Sequence, residues 1–115
     1  MQRRCAIISS KGMDPNKSVM QRFKKDMVKA GIAPQMVILF GSRARGDSLK
    51  NSDYDVIVVS DKFKGVSFPR RLMEIEESWT GAEPIEPLAY TPEEFEGMQK
   101  KSYVVAAAIK EGTSY

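Results

Sequence analysis

Met36-Val37-Ile38-Leu39-Phe40, Gly41-Ser42-Arg43-Ala44-Arg45-Gly46-Asp47-Ser48, Ser52-Asp53-Tyr54-Asp55 and Val56-Ile57-Val58-Val59 succeed one another between Met36 and Ser60, with only Leu49-Lys50-Asn51 between the second and third. Both apolar runs are strand-length, rich in β-branched residues and bounded by turn formers, so they read as two short buried strands. The polar turn between them is closed by Gly41 and Gly46. On a strand, side chains two residues apart point to the same face, which puts Asp53 and Asp55 on one face with Cα atoms about 6–7 Å apart. Two carboxylates at the mouth of an apolar strand repel unless a cation neutralises them, and an all-oxygen donor set suits Mg²⁺ or Mn²⁺. Gly41 permits close approach of a ligand to the backbone. Ser42 is expected to cap a short helical turn whose N–H groups favour phosphate oxygens. The Gly-Lys-Ser/Thr of a Walker loop does not follow the glycine.

Gly41-Ser42, ten residues, then Asp53-x-Asp55, with apolar strands before and after, resembles the signature of the polymerase-β-type nucleotidyltransferases. More narrowly, it is similar to the minimal nucleotidyltransferases of prokaryotes, the MNT type. The likeness spans about Val19 to Gly112 and includes Glu86-Pro87-Leu88-Ala89-Tyr90-Thr91-Pro92-Glu93-Glu94-Phe95. It implies transfer of a nucleoside monophosphate, AMP from ATP, to a hydroxyl acceptor with two Mg²⁺ ions. In the family an acid on the strand before a Thr-Pro-Glu-Glu-Phe-like helix start is the third metal ligand. Glu86 holds the matching position, where relatives often carry Asp; Glu83, nearer the loop, is the second choice. The implied catalytic and metal residues are therefore Asp53, Asp55 and Glu86. Gly41 and Ser42 are the implied nucleotide-binding residues, with Arg43 and Arg45 placed either to neutralise a triphosphate or to face solvent. Small members of the family often pair with helical HEPN proteins and adenylylate a tyrosine of that toxin, which makes an antitoxin role one implication. The alternative is a nucleotide- or partner-binding module of the same fold without turnover.

The 115 residues suffice for a modest core and leave no length for a second substrate-binding domain. The chain has no histidine and one cysteine, Cys5, so Ser-His, Cys-His and His-zinc chemistry and an internal disulfide framework are excluded. No apolar run approaches the ~18–20 residues of a membrane span, and the chain reads as cytoplasmic with no membrane partner. Residues 1–31 hold eight basic and two acidic residues, whereas residues 32–115 hold ten basic and thirteen acidic ones. A basic first helix is ordinarily a solvated face; a nucleic acid or acidic partner stays open. Asp47 in the turn reads as a turn former, and Arg45-Gly46-Asp47 as a coincidence of composition.

The expected architecture is an α/β nucleotidyltransferase fold, a short mixed sheet with helices packed on it in the order α-β-α-β-α-β-α. Residues 1–13 read as an extension that either adds an edge strand or lies on the surface, and residues 14–115 as one domain. Asp14-Pro15 reads as N-cap and first helical residue of a helix ending at Gly31, with Val19, Met20, Phe23, Met27 and Val28 inward. Pro69 starts a second helix, closed by Gly81, whose Leu72, Ile75 and Trp79 share a face, Trp79 as a packing anchor. A third strand spans about Pro84 to Tyr90. Thr91-Pro92-Glu93-Glu94 is a capping-box helix start, its acids structural. A last, alanine-rich helix covers about Gln99 to Glu111, its small face offered to the sheet or to another subunit, so a homo-oligomer is one expected assembly.

Overall fold

The computed structural model describes residues 14–47 and 52–115. The expectations for residues 1–13 and for Ser48 lie outside the described residues. The element order is α1 (Lys17–Lys29), β1 (Met36–Phe40), α2 (Ser42–Arg45), β2 (Tyr54–Val59), α3 (Phe68–Ser78), β3 (Ile85–Tyr90), α4 (Pro92–Lys101), α5 (Tyr103–Glu111) and β4 (Thr113–Ser114). The strands form a sheet in the order β3-β2-β1-β4. β1 runs antiparallel to β2 and to β4, whereas β2 runs parallel to β3, so the α/β mixed sheet is as expected.

Period-two alternation divides the core. Tyr54, Val56 and Val58 of β2 meet Met20, Phe23 and Met27 of α1 and Ile75 of α3 on one face. Ile57 and Val59 meet Phe95 of α4 and Val105 and Ala108 of α5 on the other. Helices cover both faces, which is why residues 56–59 form an unbroken apolar run rather than an alternating one. Trp79 is the anchor expected of it: its ring meets Phe23 edge-on, centroids 5.8 Å apart, and its indole N–H donates to the Glu83 carbonyl at 2.7 Å. β3 lies at the sheet edge, where Pro87 is tolerated because a missing N–H there costs no ladder bond in the interior.

Several boundaries differ from the sequence reading for local reasons. Asn16, not Asp14, holds the N-cap position of α1, without a side-chain capping bond; the Asp14 carboxylate instead accepts the Asn16 N–H at 2.9 Å, so Pro15 belongs to a turn ahead of the helix. Val28 is 62% exposed, on the solvent border of the stripe, while Asp26 is buried. The Asp26 carboxylate accepts the Thr80 N–H at 2.9 Å and its hydroxyl at 2.8 Å, which ties α1 to the turn after α3. The Thr80 backbone bond, opposed by burial, leaves its carboxyl below the ordinary range. α3 begins at Phe68 with Ser67 as cap. The capping box of Thr91 and Glu94 is formed on both sides.

The C-terminal part departs most. Ser102 ends α4 and caps α5, accepting the Val105 N–H at 3.1 Å, so the last helix begins at Tyr103 rather than at about Gln99, and residues 99–101 belong to α4. Val105 and Ala108 point inward, while Tyr103, Val104 and Ile109 are exposed. After Gly112 the chain turns back as β4, with Leu39 opposite Thr113 and Ile38 opposite Ser114. A Cβ on Gly112 would come within 2.7 Å of the Ile38 side chain and the Leu39 carbonyl, so this return needs glycine. Two residues of strand carry too little periodicity to be seen in the sequence.

Candidate active site

The residues singled out in the sequence gather at the end of the sheet where β1 finishes and β2 and β3 begin. Asp55 faces Phe40 across the antiparallel ladder and Glu86 across the parallel one. Adjacent strands lie about 4.7–4.9 Å apart, so Asp55 and Glu86 are side by side on the sheet face that α4 and α5 cover. Asp53, exposed, stands ahead of β2 rather than within it. Burial pushes the Asp55 carboxyl above the ordinary range, with the Glu86 and Asp53 anions adding to the rise and Arg45 opposing it. Glu83 is engaged differently: its carbonyl holds Trp79, and its carboxylate lies beside Gly81.

Gly41 carries the turn into this cluster. Its φ of 76° and ψ of −158° belong to a region that side chains scarcely enter, and a Cβ there would lie 2.5 Å from the Asp55 carboxylate oxygen. The glycine is thus what allows Asp55 to sit against the backbone of the turn. Gly41 also occupies the N-cap position of α2, so Ser42 is its first helical residue and not the side-chain cap that the sequence suggested. Gly41→Ala is expected to cost about 1–3 kcal/mol of stability from backbone strain alone and to displace Asp55 as well. Urea denaturation reads the first effect; unchanged stability would show that the turn relaxes freely.

The two arginines part company. Arg43 spans the site: its Nε and Nη2 donate to the Ser52 carbonyl at 3.1 and 3.0 Å, and its guanidinium lies 4.4 Å from the centre of the Tyr54 ring. The Arg43 carbonyl in turn accepts from the buried Asn16 side chain at 3.1 Å. The turn after β1 and the approach to β2 are therefore tied together through one side chain, and α1 is tied to both. Sequence reading missed Asn16 because nothing local to the start of a helix hints at a bond 27 positions away. Arg45 is exposed, with Asp47 at 3.1 Å and Glu111 of α5 at 3.9 Å. Exposed pairs of this kind are weak and exchange readily for a more highly charged anion.

Two cavities open beside the cluster. One of about 350 Å³ is lined by Phe40, Asp55, Glu86 and Val104, and reaches Leu72 and Glu76 of α3 past the β3 edge. The second, about 220 Å³, shares Phe40 and Val104 and continues to Gly41, Arg45, Tyr103 and Ala107. Among the described residues no three acidic groups are gathered tightly enough for a ready-made metal cage. The donor chemistry nevertheless suits a hard dication: Asp53, Asp55 and Glu86 offer only carboxylate oxygens, and Asp55, raised first by burial and then by the two neighbouring anions, is a charge that a cation would stabilise.

A family profile described as a nucleotidyltransferase domain matches residues 20–110. The chain belongs to this nucleotidyltransferase family. A search of curated proteins gave no match. Among solved structures, a candidate nucleotidyltransferase from Sulfolobus solfataricus is 20% identical, covers 93% of this chain and 90% of its own, and superposes with a TM-score of 0.53. Another candidate nucleotidyltransferase is 27% identical over 74% of this chain and 87% of its own, with a TM-score of 0.42. The likeness to the Sulfolobus protein is one of fold, and the family assignment rests on the profile, which takes in the nucleotidyltransferase's turn, both aspartates and Glu86. Among the described residues no helix is long and apolar enough to cross a membrane.

Proposed function

We propose that this nucleotidyltransferase moves AMP from ATP to a hydroxyl acceptor. The acceptor hydroxyl gives up its proton to solvent as its oxygen bonds to the α-phosphorus, the bond from that phosphorus to the bridging oxygen breaks, and pyrophosphate departs. The observation that supports it is the registration of Asp55 with Glu86 at the strand ends, with Asp53 beside them and the Asp55 carboxylate against Gly41. Asp53, Asp55 and Glu86 are the residues that would hold divalent ions, Mg²⁺ or Mn²⁺, which when bound supply charge neutralisation at the phosphates and polarise the acceptor oxygen.

The chain's own residues do the positioning. Gly41 lets the Asp55 carboxylate lie against the turn, and the start of α2 beside it presents backbone N–H groups, which favour an anion. Arg45 contributes a cation for the triphosphate or the departing pyrophosphate, while Arg43 keeps the turn and the aspartates in fixed relation. In the resemblance, Glu86 would serve the acceptor oxygen. The preference for ATP, and a tyrosine of a HEPN-type toxin as acceptor with an antitoxin role, rest on the resemblance to the minimal nucleotidyltransferases.

Calorimetric titration tests the site. ATP is expected to bind at least tenfold more tightly in Mg²⁺ than in excess chelator. Equal affinity in the two conditions overturns the carboxylate site. Mg²⁺-dependent binding with no pyrophosphate release toward any hydroxyl acceptor favours the non-catalytic binding module instead.

A further inference from the structure

Tyr103 is 93% exposed, an unusual position for an aromatic ring on a helix that buries its neighbours Val105 and Ala108. It stands in the wall of the 220 Å³ cavity, whose other apolar lining is Phe40, Val104, Ala107 and Ala108. The same cavity is bounded by Gly41 and Arg45, the turn assigned above to the triphosphate, and it adjoins the Asp55–Glu86 cavity through Phe40 and Val104. Of the two cavities that meet at Phe40 and Val104, this one holds fewer acidic residues and borders the turn directly, so a nucleoside triphosphate with its phosphates on that turn can lay its base here away from the carboxylates.

We infer that Tyr103 is the stacking platform for the base of the donor nucleotide, with Phe40, Val104 and Ala107 as the apolar slot beneath it, and that the platform favours purines. The inference rests on the proposed nucleotide site. An exposed tyrosine offers a flat π-face at small entropic cost, and stacking on it discriminates by ring area rather than by hydrogen-bonding edge. A purine overlaps the ring more than a pyrimidine does, so ATP and GTP bind alike, and both more tightly than CTP and UTP.

The experiment compares wild type with Tyr103→Ala and Tyr103→Phe in Mg²⁺, titrated with ATP, CTP and inorganic tripolyphosphate. Because the side chain is solvent-exposed and alanine is a good helix former, neither variant is expected to disturb the fold. Tyr103→Ala weakens ATP binding about tenfold, narrows the ATP-to-CTP ratio towards one and leaves tripolyphosphate unchanged; Tyr103→Phe restores both ATP affinity and the ratio. In the wild-type complex the adenine H2 and H8 resonances move upfield from the ring current, and in Tyr103→Ala they do not. Unchanged ATP affinity and unshifted adenine protons in Tyr103→Ala, while tripolyphosphate still binds, overturn the platform and leave the phosphate turn standing. Loss of tripolyphosphate binding in wild type fails the nucleotide site itself, and the platform with it. A change only in oligomeric state on Tyr103→Ala reassigns the ring to a protein contact and likewise overturns the inference.

Discussion

Asp53→Asn is expected to lower pyrophosphate release from ATP with the true hydroxyl acceptor by at least ~10²-fold while leaving stability in chelator within about 0.5 kcal/mol. The substitution keeps volume and most hydrogen-bonding capacity and removes one negative charge from the cluster. Asp53 is exposed and ahead of β2, so no core contact is lost with it. Asp47→Asn removes the same charge from a residue whose partner is Arg45, and is expected to change turnover little. Activity lost in Asp47→Asn and kept in Asp53→Asn would place the reaction on the wrong carboxylates. Asp55 gives the companion result in metal-free buffer. Its carboxyl titrates above the ordinary range in the folded chain, so its unfavourable contribution is absent below the unfolded value and grows as pH rises through the folded one. Asp55→Asn therefore stabilises the metal-free protein at neutral pH, an effect that fades as the solution is acidified.

Arg71→Leu carries the largest expected cost in stability, about 3 kcal/mol, read as a shift in the urea midpoint at unchanged slope. Arg71 is buried on α3 and joins the loop before it, β3 and α4 through one fork. Its Nε donates to the Val66 carbonyl at 2.8 Å, Nη1 to the Ala89 carbonyl at 3.1 Å and to Glu94 at 2.6 Å, and Nη2 to the other Glu94 oxygen at 3.1 Å. Leucine fills part of the volume but strands two carbonyls and the carboxylate that closes the α4 capping box. Lysine cannot reproduce a bidentate contact, so Arg71→Lys recovers little of the loss. The Arg71 hydrogen bonds hold the Glu94 carboxyl below its ordinary range, and this part of the stability is lost as pH falls through the folded value. The difference between wild type and Arg71→Leu accordingly narrows in acid. A difference under 0.5 kcal/mol at neutral pH would show that solvent replaces the fork. The pair also anchors β3, whose other end carries Glu86, so the variant tests how far the candidate site depends on a remote brace.

The sequence by itself determined the strands at 36–40 and about 54–59, the glycine turn between them, the helix ending at Gly31 and the α4 capping box. Each is written in contiguous residues as an apolar period, a turn former or a reciprocal cap. It also brought Gly41, Asp53, Asp55 and Glu86 under one reading, because the family pattern spaces them along the chain. Only the tertiary structure decided that β2 and β3 run parallel in a register that sets Glu86, and not Glu83, opposite Asp55. Nothing local encodes that pairing, since both acids lie within four residues of each other and the choice depends on packing across the sheet. The same holds for Arg43, which a triphosphate and the Ser52 carbonyl would suit equally by charge and reach. Arg71 and Asp26 look in the sequence like ordinary surface charges on polar stretches. They are buried because partners 23 and 54 residues away, Glu94 and Thr80, supply their hydrogen bonds, and a buried charge is held only where such partners meet it in space.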